Sequence, residues 1–350
     1  MQTLKSVLNT DISGQPVHQK SATWLSIFST GFAHPDFGNP LLGGTYSGIP
    51  VNFYSGTPST TVKWSGIYGT TSWSPGPYLV PPNAIVEGST PSNPNIGDPN
   101  GDRHLIVIDK NAQLSYELIG AFPNGDGTWT ADAGIIWNLA SDAELPPGNG
   151  SACAYGGPMS PILADPSQIH LDTDGTMTLG HVIGVNLPKT SAPYHWPADA
   201  DAQTNSAGPP MGMYVRIKAS YDISRLQPQS KAVARTLQKY GGIVFQNGGS
   251  VLYINGTPGG AGGAGVTWND SDINDSSTGI KSIPWPSAFE FVDVSGLELS
   301  PATFDTNLPS GSSVGSTSNG SSPGSSVMID LGSHHTKCRP RARQLDTFMH

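Results

Sequence analysis

Within residues 101–120 the chain gathers Asp102, Arg103, His104 and Glu117, two carboxylates with a guanidinium and an imidazole beside them. Two carboxylates can hydrolyse a glycosidic bond, one protonating the leaving oxygen and the other acting as nucleophile or base, when they sit at one of two characteristic separations. Glu117 and Asp102 are the first candidates for that pair, with Asp36 and Glu87 in reserve. Glu117 stands among apolar residues, where burial raises a carboxyl pKa and suits the acid role. Arg103 and His104 can orient a carboxylate or stabilise developing charge. The same groups also read as a lyase site, in which Arg103 neutralises a uronate while His104, His181 or Tyr116 removes the proton α to it. The plain alternative is that Asp102, Arg103 and His104 only cap and brace a hairpin.

The elements that must position these groups are two strand-length apolar runs, 105–108 and 114–119, separated by a segment with turn-forming Asp109 and Asn111. With a two- or four-residue loop, His104, Ile106 and Ile108 share a face with Ser115, Glu117 and Ile119. Leu105, Val107, Tyr116 and Leu118 take the other face. One face is thus an ordinary core face, and the other carries the reactive groups.

Asp36 lies with His34 in a loop between Gly31 and Gly38, where an Asp also serves simply to bond its own turn. His181 falls near the middle of a strand pattern over 176–187, a position more often structural than catalytic. Flat aromatic faces suit sugar rings, so Trp64, Trp73 and Tyr78, together with His195 and Trp196 between prolines, are the candidate substrate-binding residues. Trp and Tyr are equally at home in cores and corners.

Gly (43) and Pro (31) are abundant and only 12% of residues are charged, which favours turn-rich β structure over helical bundles. Short apolar stretches recur at spacings near ten residues between 43 and 87, as in a sandwich or jelly roll. A net charge of -9 and a pI near 5.3 argue against a nucleic-acid partner. No apolar run is long enough for a membrane helix. Two cysteines, Cys153 and Cys338, make neither a disulfide framework nor a zinc site. No phosphate-binding loop, zinc-protease motif or serine-hydrolase elbow occurs. No cofactor is expected; the acidic loop 270–275 leaves structural calcium open, without an EF-hand pattern.

One helix is expected over 229–240, with Pro228 in its first turn and Gly241 as its stop. Residues 243–246 and 251–254 read as a second hairpin, 213–220 as a strand with Arg216 and Lys218 on a solvated face, and 289–294 as a closing strand. Residues 1–20 are expected to form a flexible arm and 301–350 a Ser, Gly and Pro linker with a basic tail.

Gly101 to His104, Tyr116 to Leu118, Pro210 to Met213, Lys239 to Gly241 and Phe289 to Asp293 together resemble a group of exported microbial proteins that accompany polysaccharide-related modules. The resemblance spans roughly residues 34–293 and weakens over 140–166. It implies secretion and a single β-rich domain, and it carries no catalytic assignment. No signal peptide is visible, but a Ser-, Thr-, Gly- and Asn-rich composition fits export.

The expectation is therefore a mostly β protein, an antiparallel sandwich or jelly roll with one accessory helix, in a domain over 21–300. Its expected function is that of a secreted, monomeric glycoside hydrolase acting on a neutral polysaccharide, a β-glucan such as cellulose, through Glu117 and Asp102. The rivals are a polysaccharide lyase and a non-catalytic carbohydrate-binding or adhesion protein.

Overall fold

The computed structural model describes residues 7–38, 45–67, 76–140, 151–259 and 265–298. Trp73, Cys338, the linker and the basic tail lie outside them. The chain is mostly β, with several antiparallel and mixed sheets and one long helix.

The 101–120 stretch forms a hairpin of strands Leu105–Asp109 and Leu114–Ile119. The loop holds four residues, and Asp109 nucleates it by accepting the N–H groups of Asn111 and Ala112 through one carboxylate oxygen. Ile106 faces Glu117 and Ile108 faces Ser115, while Val107 pairs with Tyr116 and Leu105 with Leu118. The two faces are those expected from the alternation. Val51–Phe53 joins the hairpin on one side in parallel, and Ala133–Asn138 on the other antiparallel, giving a four-stranded sheet.

That sheet separates two cores. Its outer face buries Leu105, Val107, Tyr116 and Leu118 with Val62, Tyr78 and Trp129. Its inner face contributes Val51, Ile106, Ile119 and Ala133 to a larger core shared with a six-stranded sheet. The latter runs Phe289–Val292, Tyr214–Ile217, Gly242–Asn247, Ile183–Leu187, Tyr253–Asn255, His34–Asp36. Two of its pairings are parallel, between the Ile183–Leu187 and Gly242–Asn247 strands and between Tyr253–Asn255 and His34–Asp36.

The helix Pro228–Lys239 covers the far face of this sheet. Val233 and Leu237 are wholly buried, and the space where a side chain on Gly242 would lie is filled by Leu237 and Val185. Pro228 occupies the first turn, where its missing N–H costs nothing, and Gly241 turns the chain at φ 77. The helix lacks a cap of its own. Asp272 supplies one from a distance, accepting the N–H of Gln229 at 2.9 Å and of Ser230 at 3.0 Å.

Four expectations are corrected. Residues 7–20 are no loose arm: Ile12 is fully buried, its N–H bonds the Lys239 carbonyl, and Leu8 accepts the N–H of Val182. The strand expected over 176–187 is broken by Gly180 at φ 77 into Met177–Thr178 and Ile183–Leu187, with His181 in the connection. The Gly242–Asn247 and Tyr253–Asn255 strands form no hairpin, because Ile183–Leu187 lies between them and pairs with both. Arg216 faces no solvent; it is buried, ion-paired with Glu290 at 2.8 Å and bonded to the carbonyls of Ile12 and Ser13. No helix among the described residues is long and apolar enough to cross a membrane.

Candidate functional site

The reactive groups of the hairpin part company at its inner face. Glu117 is completely buried. One carboxylate oxygen accepts the Met159 N–H at 3.0 Å, and the other accepts the Ser160 N–H at 2.9 Å and the Ser115 hydroxyl at 3.1 Å. Burial pushes its pKa up, and these bonds pull the other way. With both oxygens engaged, Glu117 pins segment 151–163 against the hairpin sheet rather than facing a ligand.

Asp102 and His104 converge instead on Glu87, the reserve carboxylate. Carboxylate atoms of Glu87 and Asp102 and a ring nitrogen of His104 all lie within 4.8 Å of one another. His104 is fully buried, and its Nδ1 is 2.7 Å from Glu87 Oε2. Burial alone would lower the imidazole pKa, but the Glu87 carboxylate, aided by Asp102, holds it above the ordinary value. At its other end Nε2 lies 3.2 Å from the Ala152 carbonyl and 3.3 Å from the Gln246 side-chain nitrogen. Asp102 is half-buried and Glu87 buried, so Asp102 is the more accessible acid of the pair. Their donor set, one imidazole and two carboxylates, is also the described cluster whose geometry could hold a metal ion.

Arg103 interacts electrostatically with Glu87 but is bonded elsewhere. Held at φ 52, it directs its guanidinium onto the Ala121 carbonyl at 2.7 Å and over the Phe122 ring at 3.9 Å. It is 2% exposed, so it is not offered to a uronate. His181, the other lyase candidate, is also buried, with Nδ1 2.7 Å from the Val182 carbonyl and Nε2 3.0 Å from the Gln168 side chain; burial lowers its pKa. Tyr116 belongs to the outer core.

The aromatic candidates lie elsewhere too. Tyr78 has no exposure and packs edge-on against both Trp64 and Tyr116, in the core on the opposite side of the hairpin sheet from His104. His195 and Trp196 are half-buried at a corner where His195 bonds the Met211 carbonyl. His195 acts electrostatically on His18 and Asp293, beside the edge strand Phe289–Val292. Two of the three acids of 270–275 that raised the question of calcium are used as caps: Asp272 on the long helix, Asp275 on its own turn through Ser277 and Thr278.

What the sheet order brings to His104 is a polar row absent from the residue-by-residue expectations. Gln246 pairs in register with Asn186, Asn186 with Tyr253, and Tyr253 with His34. Paired residues project to the same side of a sheet. All four are half-buried. One step inward Asn255 aligns with Asp36, and its side chain donates to Asn186 Oδ1 at 3.0 Å. Asp36 therefore belongs to a strand and not to the expected loop, in the same row system that reaches His104 through Gln246. Comparisons with protein-family models, with curated proteins and with solved structures returned no match.

Proposed function

We propose that the protein is a secreted hydrolase of a neutral polysaccharide, a β-glucan such as cellulose, with Asp102 and Glu87 as its carboxylate pair. The observation that carries this reading is the convergence of both acids with His104 within 4.8 Å. That spacing lies nearest the short separation of about 5–5.5 Å used by enzymes that retain anomeric configuration. Asp102, the more accessible acid, attacks the anomeric carbon to form a glycosyl ester. The His104–Glu87 pair holds a proton between Nδ1 and Oε2, and Glu87 passes it to the leaving oxygen. Water then cleaves the ester with Glu87 as base.

Glu117 becomes a positioning residue in this scheme, since both its oxygens accept bonds from the protein. Secretion rests on the composition. The binding-only alternative gains from one observation, the near-complete burial of Glu87 and His104.

The test is release of new reducing ends from neutral and uronate-containing polysaccharides, with absorbance of unsaturated uronate followed in parallel. Asp102→Asn and Glu87→Gln should each abolish release from a neutral β-glucan while the proteins remain folded. Unchanged turnover in Asp102→Asn discards the assignment. Unsaturated product would mean a lyase, and retention on insoluble glycan without any release would mean a binding protein.

A further inference from the structure

We infer that the row Gln246, Asn186, Tyr253 and His34 is the track along which a neutral glycan chain lies, crossing the strands of the six-stranded sheet and ending at His104. The inference rests on the hydrolase reading for the reacting end, but it is carried by separate residues. Strands lie about 4.8 Å apart, so the three steps from Gln246 to His34 span roughly 14 Å, a length that takes several sugar rings.

Position in the sheet supports access. Moving inward along the strands from this row, Gly184 and Asn255 are buried, and Ile162 and Phe245 fill the space beside Gly184. The row itself is half-buried, so it forms the margin where a packed face gives way to solvent. Amide side chains in the middle of a sheet are unfavourable there unless something bonds them. Asn255 is accounted for by Gly184, Asn186 and Tyr253. Asn186 uses its Oδ1 for Asn255, and among the described residues its Nδ2 donates to nothing. Gln246 meets His104 with one end of its amide, and the other end has no hydrogen bond among the described residues.

A donor on Asn186 and an acceptor on Gln246, side by side on paired strands, match adjacent hydroxyls, each of which donates and accepts. His34 stacks on Tyr253 with ring centroids 4.6 Å apart, and Gly249 leaves room for the Tyr253 ring, which fixes the far end of the row. Charge selects against an anionic chain. Asp36, Asp102 and Glu87 flank the track, and Arg103 is spent on Ala121 and Phe122.

The experiment is isothermal titration of the whole chain with cello-oligosaccharides of increasing length, with an oligouronate as the anionic control. The wild-type protein should bind more tightly as the neutral chain lengthens and should not bind the oligouronate. Asn186→Ala and Gln246→Ala should each weaken binding of the long oligosaccharide about fivefold, the effect of one lost hydrogen bond, in proteins that remain folded; Asn186→Ala also lowers the thermal midpoint, because it removes an acceptor of the buried Asn255 amide. His34→Ala should remove the gain from the longest chains and spare the shortest. Wild-type affinity in all three folded variants would overturn the track and leave the hydrolase reading standing. Tight binding of the oligouronate would overturn the neutral specificity. Absence of glycan binding by the wild-type protein, together with absence of reducing ends, would overturn both.

Discussion

Glu117 accepts the backbone N–H of Ser160 at 2.9 Å, a bond between residues forty-three positions apart that fastens segment 151–163 to the hairpin sheet. The neighbouring Met159 N–H is held by the same carboxylate. Truncation takes the acceptor from two buried backbone donors and from the Ser115 hydroxyl, each of the backbone donors costing about 1–3 kcal/mol. Glu117→Ala should therefore lower stability by about 2–6 kcal/mol. Glu117→Gln, which keeps one acceptor oxygen, should lose less. The check is the urea midpoint at constant slope; an unshifted midpoint in Glu117→Ala would remove the anchoring role.

The His104–Glu87 pair predicts a pH dependence with a definite sign. The pair holds the folded-state imidazole pKa above its ordinary value. Its stabilisation is fully present below the unfolded histidine pKa, about 6.5, and is lost as pH rises through the folded value. Between about pH 6 and pH 9 the wild-type midpoint should fall more steeply than that of Glu87→Gln. Parallel curves for the two proteins would contradict the pairing.

Asp272 caps a helix to which it does not belong. Losing the two bonds to Gln229 and Ser230 should cost about 0.5–2 kcal/mol. Asp272→Ala should accordingly lower the thermal midpoint while leaving oligosaccharide affinity unchanged. Asp272→Asn, which keeps one acceptor, should recover part of the loss.

Lys239 bridges Asp172 at 2.8 Å and Asp174 at 2.7 Å, but the two carboxylates are unequal, with side-chain exposures of 6% and 50%. Asp172 also meets His170, Thr178 and the Tyr240 hydroxyl. Asp172→Ala should lower the thermal midpoint, whereas Asp174→Ala should leave it where it is, since water screens the outer pair. Equal effects would show that exposure does not govern this bridge.

Local pattern made the hairpin legible: strict alternation set its faces, and Pro228 and Gly241 bracketed the helix. Asp102 and His104 were likewise visible as a reactive patch, because they lie close together in the chain. The role of Glu117 depends on non-local contacts. A carboxylate amid apolar residues looks poised for proton transfer until its backbone donors, supplied by Met159 and Ser160, are known. The second hairpin failed similarly, since only tertiary packing inserts Ile183–Leu187 between Gly242–Asn247 and Tyr253–Asn255. Gln246 and Asn186 carried no signal of their own. Each is a polar residue near the end of a mostly apolar strand, and only the order of the strands sets them side by side.

The pairing of His34–Asp36 with Tyr253–Asn255 has a consequence for biosynthesis. The strands come from opposite ends of the described domain, and an isolated bridge between Val17 and Val292 closes the same circuit at the opposite edge of the sheet. Contacts this distant along the chain must wait for loop closure, which slows their formation. During synthesis the N-terminal strand leaves the ribosome long before its partner, so the row ending at His34 is assembled late. An incomplete chain carries the hairpin acids but not the surface beside them. On the proposed reading, the emerging polypeptide cannot hold a glycan along that row until Tyr253–Asn255 has been made.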